Sequence, residues 1–137
     1  MDDNTLVKSS FSATINAPIE KVDIPSWCSL MVQHYIEVIG QPDRLRLVFN
    51  SDVLTPAGRT KINVVWDLSV KKISDNSCEF TNTVHTSATP ELTGLLGKQG
   101  IPWEVFEAAR VPVSEAHDRQ ETPRFAENIQ RHALARK

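Results

Sequence analysis

The chain has 137 residues, 40% of them hydrophobic and 23% charged, which suits one globular domain large enough for a real core. Its net charge of −2 offers no global attraction for nucleic acid or for an anionic membrane. No apolar run approaches the roughly 18 residues of a membrane-spanning helix, and the acidic, polar start "MDDNTLVKSS" lacks the basic and apolar runs of a signal peptide. The reading is therefore a single cytoplasmic domain over residues 1–137, with its two cysteines, Cys28 and Cys78, as reduced thiols.

"VKSSFSATINAP" alternates cleanly. Val7, Phe11, Ala13, Ile15 and Ala17 point one way, and Lys8, Ser10, Ser12, Thr14 and Asn16 the other. Pro18 ends this strand, and "IEKVDIPSW" leaves room for a helical turn or two around Pro25.

Parity governs the strands that follow. Val32, His34, Ile36 and Val38 share an even face, and Leu45, Leu47 and Phe49 an odd one. Facing residues on antiparallel strands have a constant sum of numbers, so one shared apolar side requires an odd sum. A four-residue loop from Gly40 to Asp43, pairing Ile39 with Arg44, supplies it. The Phe49 strand then meets the Ile62 strand with an odd sum across "SDVLTPAGR". Ile62, Val64, Trp66, Leu68 and Val70 face with Cys78, Phe80 and Val84 across an even sum, through a three- or five-residue turn at Asp75–Asn76. The result is a five-stranded antiparallel sheet with one buried face.

Helix signals begin after Ala88. Thr89 suits an N-cap, with Pro90 at the first helical position and Glu91 in the first turn. Leu92, Leu95 and Leu96 form a short stripe, which Gly97 and Gly100 stop. Val105, Ala108, Ala109, Pro112, Val113 and Ala116 then recur at helical spacing and predict one buried face, kinked at Pro112. Thr122–Pro123 restarts or kinks the helix again, and Phe125, Ala126, Ile129 and Ala133 carry its last stripe.

Strands first and a long amphipathic helix last is an α+β pattern. "SATINAPIEKV" resembles the first strand and helix start of the START-like superfamily, also called SRPBCC or Bet v 1-like, whose usual opening is a strand ending in Ala-Pro-Ile/Val-Glu-x-Val. The later meander and closing helix match its element order. The resemblance implies a helix-grip fold, in which a curved antiparallel sheet packs on a long kinked C-terminal helix around an apolar cavity. It covers about Val7–Val22 and Leu30–Lys137. Family members usually have two short helices and seven strands, whereas five strands are readable here and only about a dozen residues separate Pro18 from Leu30. Either the chain is a shortened member with an open sheet edge, or a segment is missing near Trp27–Cys28. An open edge invites a partner chain, a second copy included.

No nucleotide-binding, nucleophile-elbow or zinc-protease motif occurs. None of the four histidines pairs with a Cys or another His at ligand spacing, so neither metal nor cofactor is expected. His85 lies on the outward register, where it is read as solvated; His34 shares the apolar face and is either a satisfied core histidine or a cavity hydrogen-bond partner.

Asn82 falls in the apolar register between Phe80 and Val84, opposite Leu68 or Val70. A buried amide without partners costs about 1–3 kcal/mol. Backbone at a bulge, a ligand in a wet cavity or a different register would each remove that cost.

If sheet and C-terminal helix enclose a pocket, His34, Trp66 and Asn82 are its polar points. Phe49, Phe80, Trp103, Phe106 and Phe125 are its apolar wall. The leading expectation is binding of a small hydrophobic molecule: a lipid, a polyketide or an aromatic metabolite. The alternatives are an enzyme of the polyketide cyclase or aromatase type, with His34, Asn82 and Tyr35 as acid–base or oxyanion candidates, and an interaction module using the open sheet edge.

Overall fold

A computed structural model describes residues 5–30, 36–55 and 58–136. Five strands form one antiparallel sheet: β1 (Thr5–Ile15), β2 (Ile36–Gln41), β3 (Arg44–Thr55), β4 (Gly58–Ser74) and β5 (Ser77–Ser87), in spatial order β1-β5-β4-β3-β2. The helices are α1 (Ile24–Ser29), α2 (Pro90–Lys98) and α3 (Trp103–Ala135). The architecture is the α+β helix-grip expected, with α3 lying closest to β1 and then β5. Among the described residues no helix is long and apolar enough to cross a membrane.

The chain reverses after β1 as its prolines dictate. Ile19–Lys21 make one 3-10 turn after Pro18. Asp23 then caps α1, its Oδ1 accepting from the Ser26 amide at 3.2 Å. Helix α1 runs unbroken through Trp27 and Cys28, both buried. The expected Thr89 cap is present: its hydroxyl accepts from the Leu92 amide at 3.1 Å and donates to the Lys61 carbonyl at 2.8 Å. Helix α2 closes at Gly100, whose φ of 66° falls in the left-handed region that a side chain disfavours.

The ladders keep the expected parity but reach it by different turns. Leu47 faces Trp66, giving the odd sum, and "SDVLTPAGR" largely continues that ladder: Val53 faces Thr60 and Thr55 faces Gly58. Leu68 faces Asn82, giving the even sum. The turn there is the two-residue Asp75–Asn76, and a register shift between Lys72 and Ser74 restores the parity that so short a turn would break.

Two sequence expectations are corrected. The first is the β2–β3 hairpin, which closes with Gln41 opposite Arg44 across Pro42–Asp43, rather than Ile39 opposite Arg44. A shift between Glu37 and Ile39 then sets Ile36 opposite Val48, leaving Ile36 71% and Val38 57% exposed. The bulge turns Ile36 away from the core face on which Leu45 and Leu47 sit. Val32, His34 and Tyr35 lie outside the described residues.

The second correction concerns α3. It is one 33-residue helix that neither Pro112 nor Pro123 ends. Each proline leaves the carbonyl four residues earlier without its helical donor; those residues, Ala108 and Arg119, are exposed, so water can satisfy them. The expected apolar stripe faces outward, with Val105 60% and Val113 57% exposed. The buried positions of this half are Phe106, Ser114, Asp118 and Thr122. The C-terminal half behaves as expected, burying Phe125, Ala126, Ile129 and Ala133.

The core has two parts. Ile15, Leu45, Leu47, Leu68, Phe80 and Ile129 belong to the larger, and Ile62, Val64, Val84, Leu92, Leu96 and Phe106 to the smaller. Phe49 and Trp66 pack against both.

Candidate functional site

A cavity of about 380 Å³ lies between the inner face of β3–β5 and the N-terminal half of α3. The sheet contributes an apolar wall of Phe49, Ile62, Val64, Trp66 and Val84, with Ser51, Asp52 and Thr86 as its polar exceptions. Apart from Asp52, these positions follow from alternation: odd residues of β3 and even residues of β4 and β5 share the inner face. Trp66 is held edge-on between Phe49, at 5.0 Å between centroids, and Phe125, at 5.5 Å. Phe125 in turn meets Trp27 at 5.1 Å, so a chain of edge-to-face rings anchors the wall in the larger core.

The helical wall is mainly polar, with Val113 its apolar member. Arg110, Ser114, His117, Asp118 and Glu121 recur at i, i+4, i+7, i+8 and i+11, one continuous helical face. His117 Nε2 lies 3.0 Å from Glu121 Oε2, one turn away. Glu121 Oε1 accepts from Asn82 Nδ2 at 3.4 Å. Asp118 Oδ2 accepts from the Ser9 hydroxyl of β1. Beside them, Asn82 Nδ2 also donates to Thr122 Oγ1 at 3.2 Å, and that hydroxyl donates to the Asp118 carbonyl at 2.8 Å. Sheet and helix are thus joined by a polar seam from Ser9 to Asn82.

Burial raises the pKa of both carboxyls above the ordinary carboxylate range. For Asp118 the Ser9 hydrogen bond and nearby His117 oppose the rise; for Glu121, His117 and the Asn82 amide do. Carboxyls shifted in this direction give up their protons less readily than exposed ones, and the imidazole of His117 stands beside them. His117, Asp118 and Glu121 each present one ligand atom, all within 4.8 Å of one another. One imidazole and two carboxylates form a donor set suited to a divalent first-row cation.

Of the residues expected at the site, Phe49 and Trp66 line the cavity. Phe80 and Phe125 sit in the larger core, Trp103 and Phe106 in or against the smaller one. Asn82 is fully buried and reaches the helix rather than backbone or bulk solvent. His34 lies outside the described residues, and His85, on the outward register, is half-buried and not without a partner. Sequence reasoning overlooked Arg110, Ser114, His117, Asp118 and Glu121. Their i, i+4 spacings were the available signal, together with Ser9 in the odd register of β1.

Cys28 and Cys78 are buried free thiols. Burial pushes the Cys28 pKa up to about 11 and raises that of Cys78.

No family model matches the chain, and no curated protein matches it. Among solved structures the chain is similar to the di-domain ARO/CYC BexL from the BE-7585A biosynthetic pathway, at 15% identity and a TM-score of 0.41. The match covers 96% of this chain and 52% of the other, so the chain spans about half the length of that di-domain protein.

Proposed function

We propose that the protein binds a small, largely apolar molecule bearing polar groups, in the cavity between β3–β5 and α3. The START-like reading of "SATINAPIEKV" fits the same proposal. The observation that carries it is the facing of two unlike walls. An aromatic and aliphatic sheet face stands opposite a helix face of Arg110, Ser114, His117, Asp118 and Glu121. A helix normally turns its apolar stripe toward the sheet. Here most of the apolar stripe points outward, with Val113 at the cavity's edge, and the face toward the cavity is mainly polar, an arrangement suited to orienting an amphipathic guest. Native mass spectrometry of the purified protein tests retention of such a guest. Titration with the neutral fluorophore N-phenyl-1-naphthylamine tests the cavity directly, and Trp66→Ala is expected to weaken that binding at least about tenfold. No retained mass together with no fluorophore binding overturns the proposal.

A second reading has a specific observation in its favour. The His117–Glu121 pair and adjacent Asp118 place groups able to give and accept protons beside the same cavity. In a cyclase- or aromatase-like enzyme these, with Asn82 as a supporting donor to Glu121, would move protons on a bound carbonyl compound. Turnover of a small β-dicarbonyl compound that is lost in both His117→Gln and Glu121→Gln would establish it.

A further inference from the structure

We propose that the cavity's ligand carries a carboxylate, received by Arg110 and Thr86. This rests on the cavity-binding reading above and names the chemistry of its occupant.

Arg110 and Thr86 lie on opposite walls of the cavity. Arg110 Nε is buried without a hydrogen-bond partner, and so is Thr86 Oγ1. Thr86 is only 8% exposed, so its hydroxyl has little recourse to bulk water. Buried donors left unpaired cost stability, and nearly all such groups find partners. Two orphans on facing walls of one cavity share a simple remedy, an acceptor group between them.

Charge identifies that acceptor as an anion. Among the described residues Arg110 makes no ion pair. Asp118 lies eight residues further along the helix, roughly 12 Å away along its axis. Its carboxylate is engaged by Ser9. Glu121 is further still and is held by His117 and Asn82. Asp52, on the cavity's sheet side, pairs with Lys61 at 3.2 Å. The guanidinium therefore shares a cavity with Ile62, Val64 and Val84, and no ion pair among the described residues matches its charge.

Geometry and net charge narrow the anion to a carboxylate. A guanidinium presents parallel N–H groups that match the two oxygens of a planar carboxylate. One Arg and one hydroxyl balance a single negative charge. A dianion such as a phosphate monoester would add surplus charge to a wall that already holds Asp118 and Glu121.

Isothermal titration with 2-naphthoate and 2-naphthamide, which share ring and size, tests the assignment at pH 7. The wild-type protein is expected to bind the naphthoate at least about tenfold more tightly. In Arg110→Gln that preference is expected to vanish, the naphthoate losing far more affinity than the naphthamide. In Thr86→Val the naphthoate is expected to weaken. Equal wild-type affinities overturn the carboxylate assignment and leave cavity binding standing. Binding of neither compound, with N-phenyl-1-naphthylamine also rejected, overturns the cavity reading and this inference with it. A preference retained in Arg110→Gln removes Arg110 from the subsite. Circular dichroism checks that each variant folds; should one fail, the wild-type comparison decides.

Discussion

Asn82 and Thr122, both fully buried, join the sheet to the long helix through one hydrogen bond of 3.2 Å. Thr122 can accept this bond because its own proton goes to the Asp118 carbonyl at 2.8 Å. The amide that interrupts the apolar register of β5 thus has its partners on α3, Thr122 Oγ1 and, at 3.4 Å, Glu121 Oε1. Its own Oδ1 has none. Asn82→Leu keeps the branched skeleton but removes the donor, and is expected to cost about 0.5–1.5 kcal/mol at neutral pH. Removal of the orphaned Oδ1 offsets part of the loss. Thr122→Val should cost a similar amount, and the double variant less than both together. Urea titration of the four proteins measures this; strict additivity would show that the two residues act independently.

Two positions on α3 test its rotation. Ile129 is fully buried, whereas Val105 is 60% exposed. Ile129→Ala is expected to cost about 2–5 kcal/mol. Val105→Ser should stay within about 0.5 kcal/mol. Equal costs in denaturant titration would mean that the apolar stripe of residues 105–116 is buried after all.

The thiols give a chemical check on burial. Cys28 and Cys78 are both fully buried, and desolvation disfavours both thiolates. A disulfide-exchange reagent should react slowly with the native protein and count two thiols once it is denatured. Rapid native reaction at either site would mean that the core around α1 and β5 opens readily.

The sheet was largely legible because a half-buried strand writes its burial into alternation, as Ile62, Val64, Trp66, Leu68 and Val70 do. Parity survived even where turn lengths differed, since bulges can restore it. The β2 hairpin failed for the same reason in reverse. A bulge at Val38 leaves no apolar trace, and it turned Ile36 outward. The helix misled more deeply. Seeking the buried face among apolar residues assumes that the core is apolar, yet α3 turns Ser114, Asp118 and Thr122 inward because Ser9 and Asn82 await two of them on the sheet. Ser9 and Asn82 both stood in apolar registers, and polar residues there call for polar partners on whatever packs above.

Acid should strengthen this seam rather than weaken it. Burial raises the folded-state pKa of Asp118 and Glu121 above the ordinary carboxylate values that the unfolded chain retains. Between those values the folded protein binds more protons than the unfolded one, so its stability falls as pH rises. The contribution is fully present below the unfolded pKa, near about 4, and is lost as pH climbs through the raised folded pKa. Asp118→Asn removes the charge and keeps an oxygen for the Ser9 hydroxyl. It is expected to be more stable than the wild type at pH 7 and to lose part of the pH dependence. Glu121→Gln should remove a further part while breaking the ion pair with His117. Urea titrations at several pH values between 4 and 8 measure the slope directly. A wild-type stability that rises across this range, with Asp118→Asn parallel to it, would mean that the two carboxyls are stabilised as anions and that the seam is wetter than its burial indicates.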